Sequence, residues 1–158
     1  MSDIYSAIKA DHDNHRNWLA TIADTSGDSE TRRDAWEKFY EDVKSHAAAE
    51  EETFYSKLLS KTWGQDSARH SVHEHQQLDD LMEELNETDM SSPAWLQKFK
   101  KLEHDYNHHM DEEEDEVFTR AREVIPEDEI EGYGDRFEAR KAKERGLIDE
   151  KRQDSLED

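Results

Sequence analysis

The sequence predicts an all-α protein: an up-down-up-down four-helix bundle with a short C-terminal accessory helix. Only five glycines and two prolines occur in 158 residues, which favours long helices joined by few turns. Apolar residues also recur at spacings of three and four along four long segments, as on the buried face of a helix. Four amphipathic helices separated by short polar segments pack most simply as such a bundle.

The first two predicted helices are separated by the polar segment TSGDSE at residues 25–30. The first helix runs from about Asp3 to Asp24. Its apolar stripe consists of Ile4, Ile8, Leu19 and Ile22. Asp28 or Ser29 can cap the second helix, which ends near the segment TWG. Its apolar stripe consists of Trp36, Phe39, Val43, Phe54 and Leu58.

The third and fourth predicted helices are separated by a turn with the sequence NETDMSSP. The third runs from about Asp66 to Asn86. Its apolar stripe consists of Ala68, Val72, Leu78, Met82 and Leu85. The fourth has Ser92 as its N-cap and Pro93 in the first helical position, and it stops before Pro126. Its apolar stripe consists of Trp95, Phe99, Leu102, Tyr106, Val117 and Val124.

Three regions are therefore predicted. Residues 1–125 form the bundle. Residues 126–146 form the accessory helix, packed on or beside the bundle, and the charged tail at 147–158 is expected to fray.

Composition excludes several classes of partner and chemistry. The formal net charge is −21, and an acidic surface repels nucleic acid and anionic lipid. The chain has no cysteine, so neither disulfides nor thiolate ligands are available. The first residues lack the apolar core of a signal peptide, and no segment approaches the roughly 20 apolar residues of a membrane span. We therefore expect a cytoplasmic protein without nucleic-acid or membrane partners.

Extending the apolar stripes through the polar segments sorts the histidines. In the fourth helix the stripe continues through His109 and Glu113, which are one turn apart and both point inward. In the second helix the stripe likewise includes His46 and Glu50. His75 lies on the stripe of the third helix. In the first helix both His12 and His15 lie on the stripe, so periodicity alone does not choose between them.

An internal repeat makes that choice. A shift of 63 residues aligns His12 with His75, and it aligns the H-x-x-x-E pair of the second helix with that of the fourth. The lone histidine precedes the H-x-x-x-E pair by 34 residues in both halves. His15 aligns instead with Leu78, a core position. His12 is therefore preferred, and His15 is expected in the core or beside the site.

The six inward residues predict a metal site, made of His12, His46, Glu50, His75, His109 and Glu113. A carboxylate buried without a partner costs several kcal/mol, and a bound cation removes that cost. Imidazole and carboxylate ligands suit iron, manganese or zinc. Because carboxylates can bridge metals, two glutamates among four histidines favour a dinuclear centre. Beyond these ligands, no catalytic acid or base stands out.

The other histidines fit simpler interpretations. A single inward histidine is more often a hydrogen-bonded core residue than a ligand, and only the agreement of stripe and repeat at six positions favours metal. Four histidines fall on solvated faces: His70, His73, His104 and His108. A metal-free acidic bundle stays an alternative, in which the six residues would be dispensable for stability.

The chain resembles the hemerythrin-like, or HHE cation-binding, family. The matching segments are DHDNHR, HAAAEEETFY, HEHQQLDDL and HHMDEEEDEVF, which span nearly the whole predicted bundle. The resemblance implies a non-haem centre of two iron ions that meets oxygen, peroxide or nitric oxide. The four histidines would be terminal ligands, while Glu50 and Glu113, with an oxo or hydroxo group, would bridge the irons. The segment EDEIEGYGDRFEARK also resembles the helical extension of many bacterial members.

One departure from the family bears on function. Oxygen-carrying hemerythrins have a fifth histidine one turn from the third-helix ligand, whereas Ser71 and Asp79 occupy those positions here. This favours sensing, peroxide decomposition or nitric oxide handling over reversible oxygen storage. Asp79 is an alternative ligand, and Tyr106 is either core or a hydrogen-bond partner of a bound oxygen species. A second functional interpretation is a cation-binding module that acts through conformation, without turnover.

Overall fold

The computed structural model describes residues 3–157, with side chains to residue 151, and this part of the chain is all-helical without strands. The α-helices are α1 (Ile4–Ala23), α2 (Glu30–Glu50), α3 (Ser56–Leu59), α4 (Gln65–Glu87), α5 (Pro93–Glu112), α6 (Phe118–Val124), α7 (Glu127–Ile130) and α8 (Tyr133–Glu157). π-helical turns at Glu51–Tyr55 and Glu113–Val117 join α2 to α3 and α5 to α6, and a 3₁₀ turn spans Thr62–Gly64. The prediction of an all-α fold is confirmed.

Capping residues set the helix starts where the sequence predicts them. The side chains of Asp3, Ser29 and Ser92 accept hydrogen bonds from backbone N–H groups in the first turns of α1, α2 and α5. Pro93 follows Ser92 at the start of α5, where its missing N–H needs no partner. Ile125, just before Pro126, has extended backbone, and α6 ends there.

The long helices contact one another in a closed cycle. α1 packs on α2, α2 on α4, α4 on α5, and α5 on α1. Their apolar residues form two separate clusters. One contains Phe39, Leu78 and Phe99, and the other contains Ile8, Phe54 and Phe118. On each of these helices the predicted ligands fall where the chain passes from one cluster to the other, so a polar layer lies between the two parts of the core.

Three residues of the predicted stripes are less buried than expected. Val117 and Val124 are only partly buried, while the adjacent Phe118 and Ile125 are 2% and 3% exposed. The π-helical turn adds a residue to the helix at this point, which shifts the buried face by one position. Val72 is 39% exposed, because it lies at the edge of the buried stripe and faces a cleft between α2 and α4.

The C-terminal helix is longer than predicted. α8 has 25 residues, starts at Tyr133 and continues past residue 146 to Glu157. The predicted accessory segment at 126–146 thus contains α7 and the start of α8, and most of the predicted tail is helical. Gly146 lies within α8 because the residues around it favour helix strongly enough to offset the cost of a glycine. α8 packs on α1 and α2, with Phe137 fully buried.

No helix in residues 3–157 combines the length and the apolar composition needed to cross a membrane.

Candidate metal centre

All six predicted ligands meet in the polar layer between the two apolar clusters. None of their side chains is more than 9% exposed. They contain two groups of potential metal ligands: one consists of His12, His46 and Glu50, and the other of Glu50, His75 and His109. Within each group the ligand atoms lie within 4.8 Å of one another. His12 and His46 belong to the first half of the sequence repeat, and His75 and His109 belong to the second half.

Glu50 belongs to both groups. Its Oε2 lies 3.5 Å from His46 Nε2, and its Oε1 lies 3.2 Å from His75 Nε2. One carboxylate thus offers one oxygen to each half of the site. This arrangement is the one a bridging carboxylate requires.

Glu113 also reaches both halves. Its Oε1 lies 3.3 Å from His12 Nε2, and its Oε2 lies 4.0 Å from His109 Nε2. The Tyr55 hydroxyl donates a hydrogen bond to Glu113 Oε2, which fixes the orientation of the carboxylate. The π-helical turns begin directly after Glu50 and at Glu113, so both glutamates lie where the helix geometry changes.

The interior of the site contains polar atoms that lack hydrogen bonds. Among the described residues, seven of the nine buried side-chain atoms without a hydrogen-bond partner belong to these six side chains. They are His12 Nε2, His46 Nε2, both carboxylate oxygens of Glu50, His75 Nδ1, His109 Nε2 and Glu113 Oε1. Buried polar atoms almost always have partners. All of these atoms except His75 Nδ1, which faces Glu51, converge on one another. Nitrogen and carboxylate oxygen atoms that converge without partners fit ligation by a cation.

A second layer of carboxylates orients the imidazoles from behind. Nδ1 of His12 donates to Glu114 Oε2 (2.8 Å), and Nδ1 of His46 donates to Asp11 Oδ2 (2.7 Å). Similarly, Nδ1 of His109 donates to Glu74 Oε1 (2.9 Å). A proton held on Nδ1 leaves the Nε2 lone pair of each ring directed into the centre, as metal ligation requires.

His75 differs slightly, because its Nδ1 lies 3.4 Å from Glu51 Oε1, a distance too long for a good hydrogen bond. Glu51 is nevertheless the residue that corresponds to Glu114 in the repeat, just as Asp11 corresponds to Glu74. The outer carboxylates therefore repeat with the same shift of 63 residues as the ligands. Sequence reasoning missed all four, although that repeat contains the signal.

The acidic surroundings perturb the titration of the metal-free site. Burial opposes the charged form of His46, but the charge of Glu50 and the hydrogen bond to Asp11 raise its pKa to about 9. Burial likewise opposes protonation of His75, but the nearby carboxylates of Glu50 and Glu51 raise its pKa to about 10. Without metal, these imidazoles therefore take up protons that a cation would displace.

His15 lies in the core beside the six residues, as predicted. Its Nε2 donates to Asp42 Oδ2 (2.7 Å), and the Tyr106 hydroxyl donates to its Nδ1 (2.8 Å). Burial lowers the pKa of His15 to about 4, so the ring is neutral at physiological pH. With both ring nitrogens bonded, His15 has no lone pair to offer a cation. Tyr106 is buried and faces this histidine.

Lys141 of α8 also contacts the carboxylates behind the imidazoles, and no pattern in the sequence predicted this contact. Its ammonium lies 2.9 Å from Asp11 Oδ1 and 2.8 Å from Asp42 Oδ1. The same two aspartates hold His46 and His15. Lys141, which lies outside the four predicted bundle helices, therefore helps to hold the predicted ligand His46 in place through Asp11.

The alternative ligand Asp79 does not join the site. It lies outside both groups of potential ligands, and its Oδ1 pairs with Lys44 Nζ at 3.0 Å. The predicted surface histidines, His70, His73, His104 and His108, are all exposed.

A cleft of about 380 Å³ between α2 and α4 leads towards the site. Its lining includes His75 and Tyr106, together with the small side chains of Ala47 and Ala48. The alanines leave space where larger residues would close the gap between the two helices. His75 is the most exposed of the six predicted ligands and forms part of the cleft wall.

Two known proteins are similar to this chain. A DNA nickase from a Nostoc species is 26% identical over 141 residues, which cover 89% of this chain and 40% of that protein. The chain thus spans less than half the length of this relative. A crystal structure of a hemerythrin HHE cation binding domain-containing protein from Mycobacterium kansasii is 24% identical and similar in fold. The TM-score is 0.82, with 93% of this chain and 90% of that chain covered.

The model of one family, described as the hemerythrin HHE cation binding domain, matches residues 3–121. The match includes all six residues of the candidate centre and most of the chain. The chain belongs to the hemerythrin HHE cation-binding domain family.

Proposed function

We propose that this chain is a non-haem di-iron protein that senses, binds or turns over a small oxidant such as oxygen, peroxide or nitric oxide. The observation that carries the proposal is the convergence of six buried atoms without hydrogen bonds, contributed by three imidazoles and two carboxylates, with His75 Nε2 3.2 Å from Glu50 Oε1. Two ligand groups that share Glu50 are suited to two cations rather than one. The donor set contains nitrogen and oxygen atoms only, which suits iron.

The residues divide into three roles under this proposal. The four histidines would hold the irons, and the carboxylates of Glu50 and Glu113 would be shared between them. The carboxylates of Asp11, Glu74 and Glu114 hold the imidazoles in place from behind. When bound, the irons supply the redox change that an oxidant needs. The protein buries the centre, and the cleft that reaches His75 offers an approach to it.

Charge and size at the cleft favour a small uncharged ligand. Glu51 and Asp79 line the cleft, and the ammonium of Lys44 in its wall is already paired with Asp79 and Glu83. Anions are therefore disfavoured at the entrance, whereas oxygen, nitric oxide and hydrogen peroxide carry no charge. We include in the proposal an up-down-up-down arrangement of the long helices, α8 as an accessory helix, and a cytoplasmic location.

The second candidate is a cation-binding module that acts through conformation. Each ligand group combines side chains from different helices, and Glu50 of α2 links both groups. Loss of the cations would leave buried carboxylates without ligation and loosen the contacts among four helices. This candidate predicts a metal-dependent change in stability without consumption of an oxidant.

The match to the DNA nickase covers only 40% of that protein, so it does not assign DNA nicking to this chain. Its formal net charge of −21 opposes approach to a polyanion, because each contact with phosphate would bring like charges together.

Reconstitution of the purified protein with ferrous iron, followed by exposure to air, tests the proposal. We expect about two irons per chain and an optical absorption band from ligand-to-iron charge transfer that changes on addition of peroxide or nitric oxide. Peroxide consumption measured on the same sample separates the two candidates. Stabilisation by metal without a spectral response to either ligand favours the conformational module. A colourless protein without iron would overturn both.

A further inference from the structure

The outer face of α4 and α5 carries a second pair of H-x-x-x-E motifs. His70 and Glu74 lie one turn apart on α4, in the segment HSVHE. His108 and Glu112 lie one turn apart on α5, in the segment HHMDE. α4 and α5 pack against each other, and this packing brings the two motifs together. The four side chains form what we call the outer cluster.

Distances within the outer cluster suit cation ligands better than hydrogen bonds. His70 Nε2 lies 3.4 Å from both Glu74 Oε1 and Glu112 Oε1, and His108 Nε2 lies 3.3 Å from Glu112 Oε2. Good N–H···O hydrogen bonds are about 2.7–3.2 Å long. Ligand atoms bound tetrahedrally at about 2.0–2.1 Å from a metal are separated by about 3.3–3.4 Å. The spacing of His70 Nε2 from the two carboxylates matches the second geometry. His70, Glu74 and Glu112 offer ligand atoms that lie within 4.8 Å of one another, whereas His108 lies outside this group, beside Glu112.

The carboxylates of the outer cluster have no lysine or arginine to neutralise them. Among the described residues, Glu74 pairs only with His70 and His109, and Glu112 pairs only with His70 and His108. Neutral imidazoles leave the two negative charges uncompensated. A divalent cation would neutralise both, in a molecule that already carries a large negative net charge.

Glu74 is held in place before any cation binds. Its Oε1 accepts the hydrogen bond from His109 Nδ1, and its side chain is 18% exposed. His70 and His108 are 54% and 68% exposed, so the outer cluster is open to solvent. The buried centre, in contrast, is largely closed to solvent. The two sites are connected through the contact of Glu74 with His109.

We propose that His70, Glu74 and Glu112, with His108 beside Glu112, form a third cation site, on the protein surface, that binds a divalent transition-metal ion such as zinc. Imidazole and carboxylate ligands together suit zinc and ferrous iron rather than magnesium or calcium, which take oxygen ligands. The site extends beyond the proposed function and does not depend on it, because its ligands are distinct from the six buried residues.

Calorimetric titration with zinc tests the site in the iron-loaded protein, in a buffer that does not bind metal. We expect one zinc ion per chain to bind at least tenfold more tightly than any further zinc, with the iron content unchanged. The test variant is H70A/H108A, because both side chains are exposed and Glu74 keeps its contact with His109. It should weaken this zinc binding at least tenfold. The matched control is H73A/H104A, two exposed histidines on the same helices, which should bind zinc like the wild type.

Two outcomes would overturn the site: no tight zinc binding by the wild type, or unchanged binding by H70A/H108A. The same titration on the metal-free protein keeps this test separate from that of the buried centre. If the buried centre binds no metal, one tight zinc sensitive to H70A/H108A is still expected. If only the buried centre binds metal, any tight zinc binding will be insensitive to H70A/H108A.

Discussion

Replacement of Lys141 by methionine probes how far α8 supports the metal centre. The ammonium of Lys141 lies within 3 Å of carboxylate oxygens of Asp11 and Asp42. Burial would raise the pKa of both carboxyls, but their histidine partners and Lys141 hold each pKa below its usual value. Lys141→Met keeps the length of the side chain and removes only the charge that both aspartates share.

The size of the effect follows from burial. Removing one partner from a buried ion pair costs about 3–5 kcal/mol, because a buried charge is left uncompensated. Here Asp11 and Asp42 keep His46 and His15 as partners, and Lys141 is itself 15% exposed. We therefore expect a loss at the lower end, about 3 kcal/mol in the free energy of unfolding.

Urea denaturation followed by circular dichroism at pH 7 measures this loss in the metal-free protein. Lys143→Met is the matched control, because Lys143 is exposed on the same helix and should change stability by no more than about 0.5 kcal/mol. The Lys141 variant should also bind iron about tenfold more weakly, since Asp11 orients the ligand His46. If the two variants unfold at the same urea concentration, the contacts of Lys141 with Asp11 and Asp42 do not stabilise the protein and the reasoning fails.

Three further predictions concern pH, the outer carboxylates and the cleft. Because the pKa values of His46 and His75 are raised to about 9 and 10 in the metal-free fold, their stabilising contribution is complete below about pH 6.5 and is lost as the pH rises towards 10. Urea denaturation should show this decline in the metal-free protein but not after metal loading; a flat profile for both would contradict it. Asp11→Asn should lower iron affinity about 10–100-fold, measured by competition with a chelator, whereas Asp13→Asn on the exposed face of α1 should not. Ala48→Phe should slow the spectral response to peroxide at least tenfold without loss of iron, and an unchanged rate would show that the cleft is not the entrance.

Periodicity and the repeat were sufficient to predict the helices and the six residues that meet in the interior. The stripes identified the inward-facing H-x-x-x-E pairs, and the 63-residue shift chose His12 over His15. The structure gives a physical reason for that choice, because Asp42 and Tyr106 occupy both ring nitrogens of His15. These features are set by helix geometry, which a single sequence encodes directly.

The features missed by sequence reasoning depend on contacts between distant elements or on irregular helix geometry. The contact of Lys141 with Asp11 joins residues 130 positions apart, and no local pattern encodes it. The π-helical turns shift the buried face and make Phe118 core in place of Val117. The carboxylates behind the imidazoles repeat with the ligands, but charged residues beside an apolar stripe look like part of a solvent-exposed face. Their hydrogen bonds are made to histidines of neighbouring helices, so only the folded structure reveals them.

Anomalous X-ray diffraction at the iron edge from crystals of the iron-loaded protein tests the central claim most directly. We predict two iron peaks per chain in the buried layer. One should lie among the imidazoles of His12 and His46, the other among those of His75 and His109, with the Glu50 carboxylate between them. A single peak, or iron bound away from these side chains while the six residues stay buried, would contradict the proposed dinuclear centre.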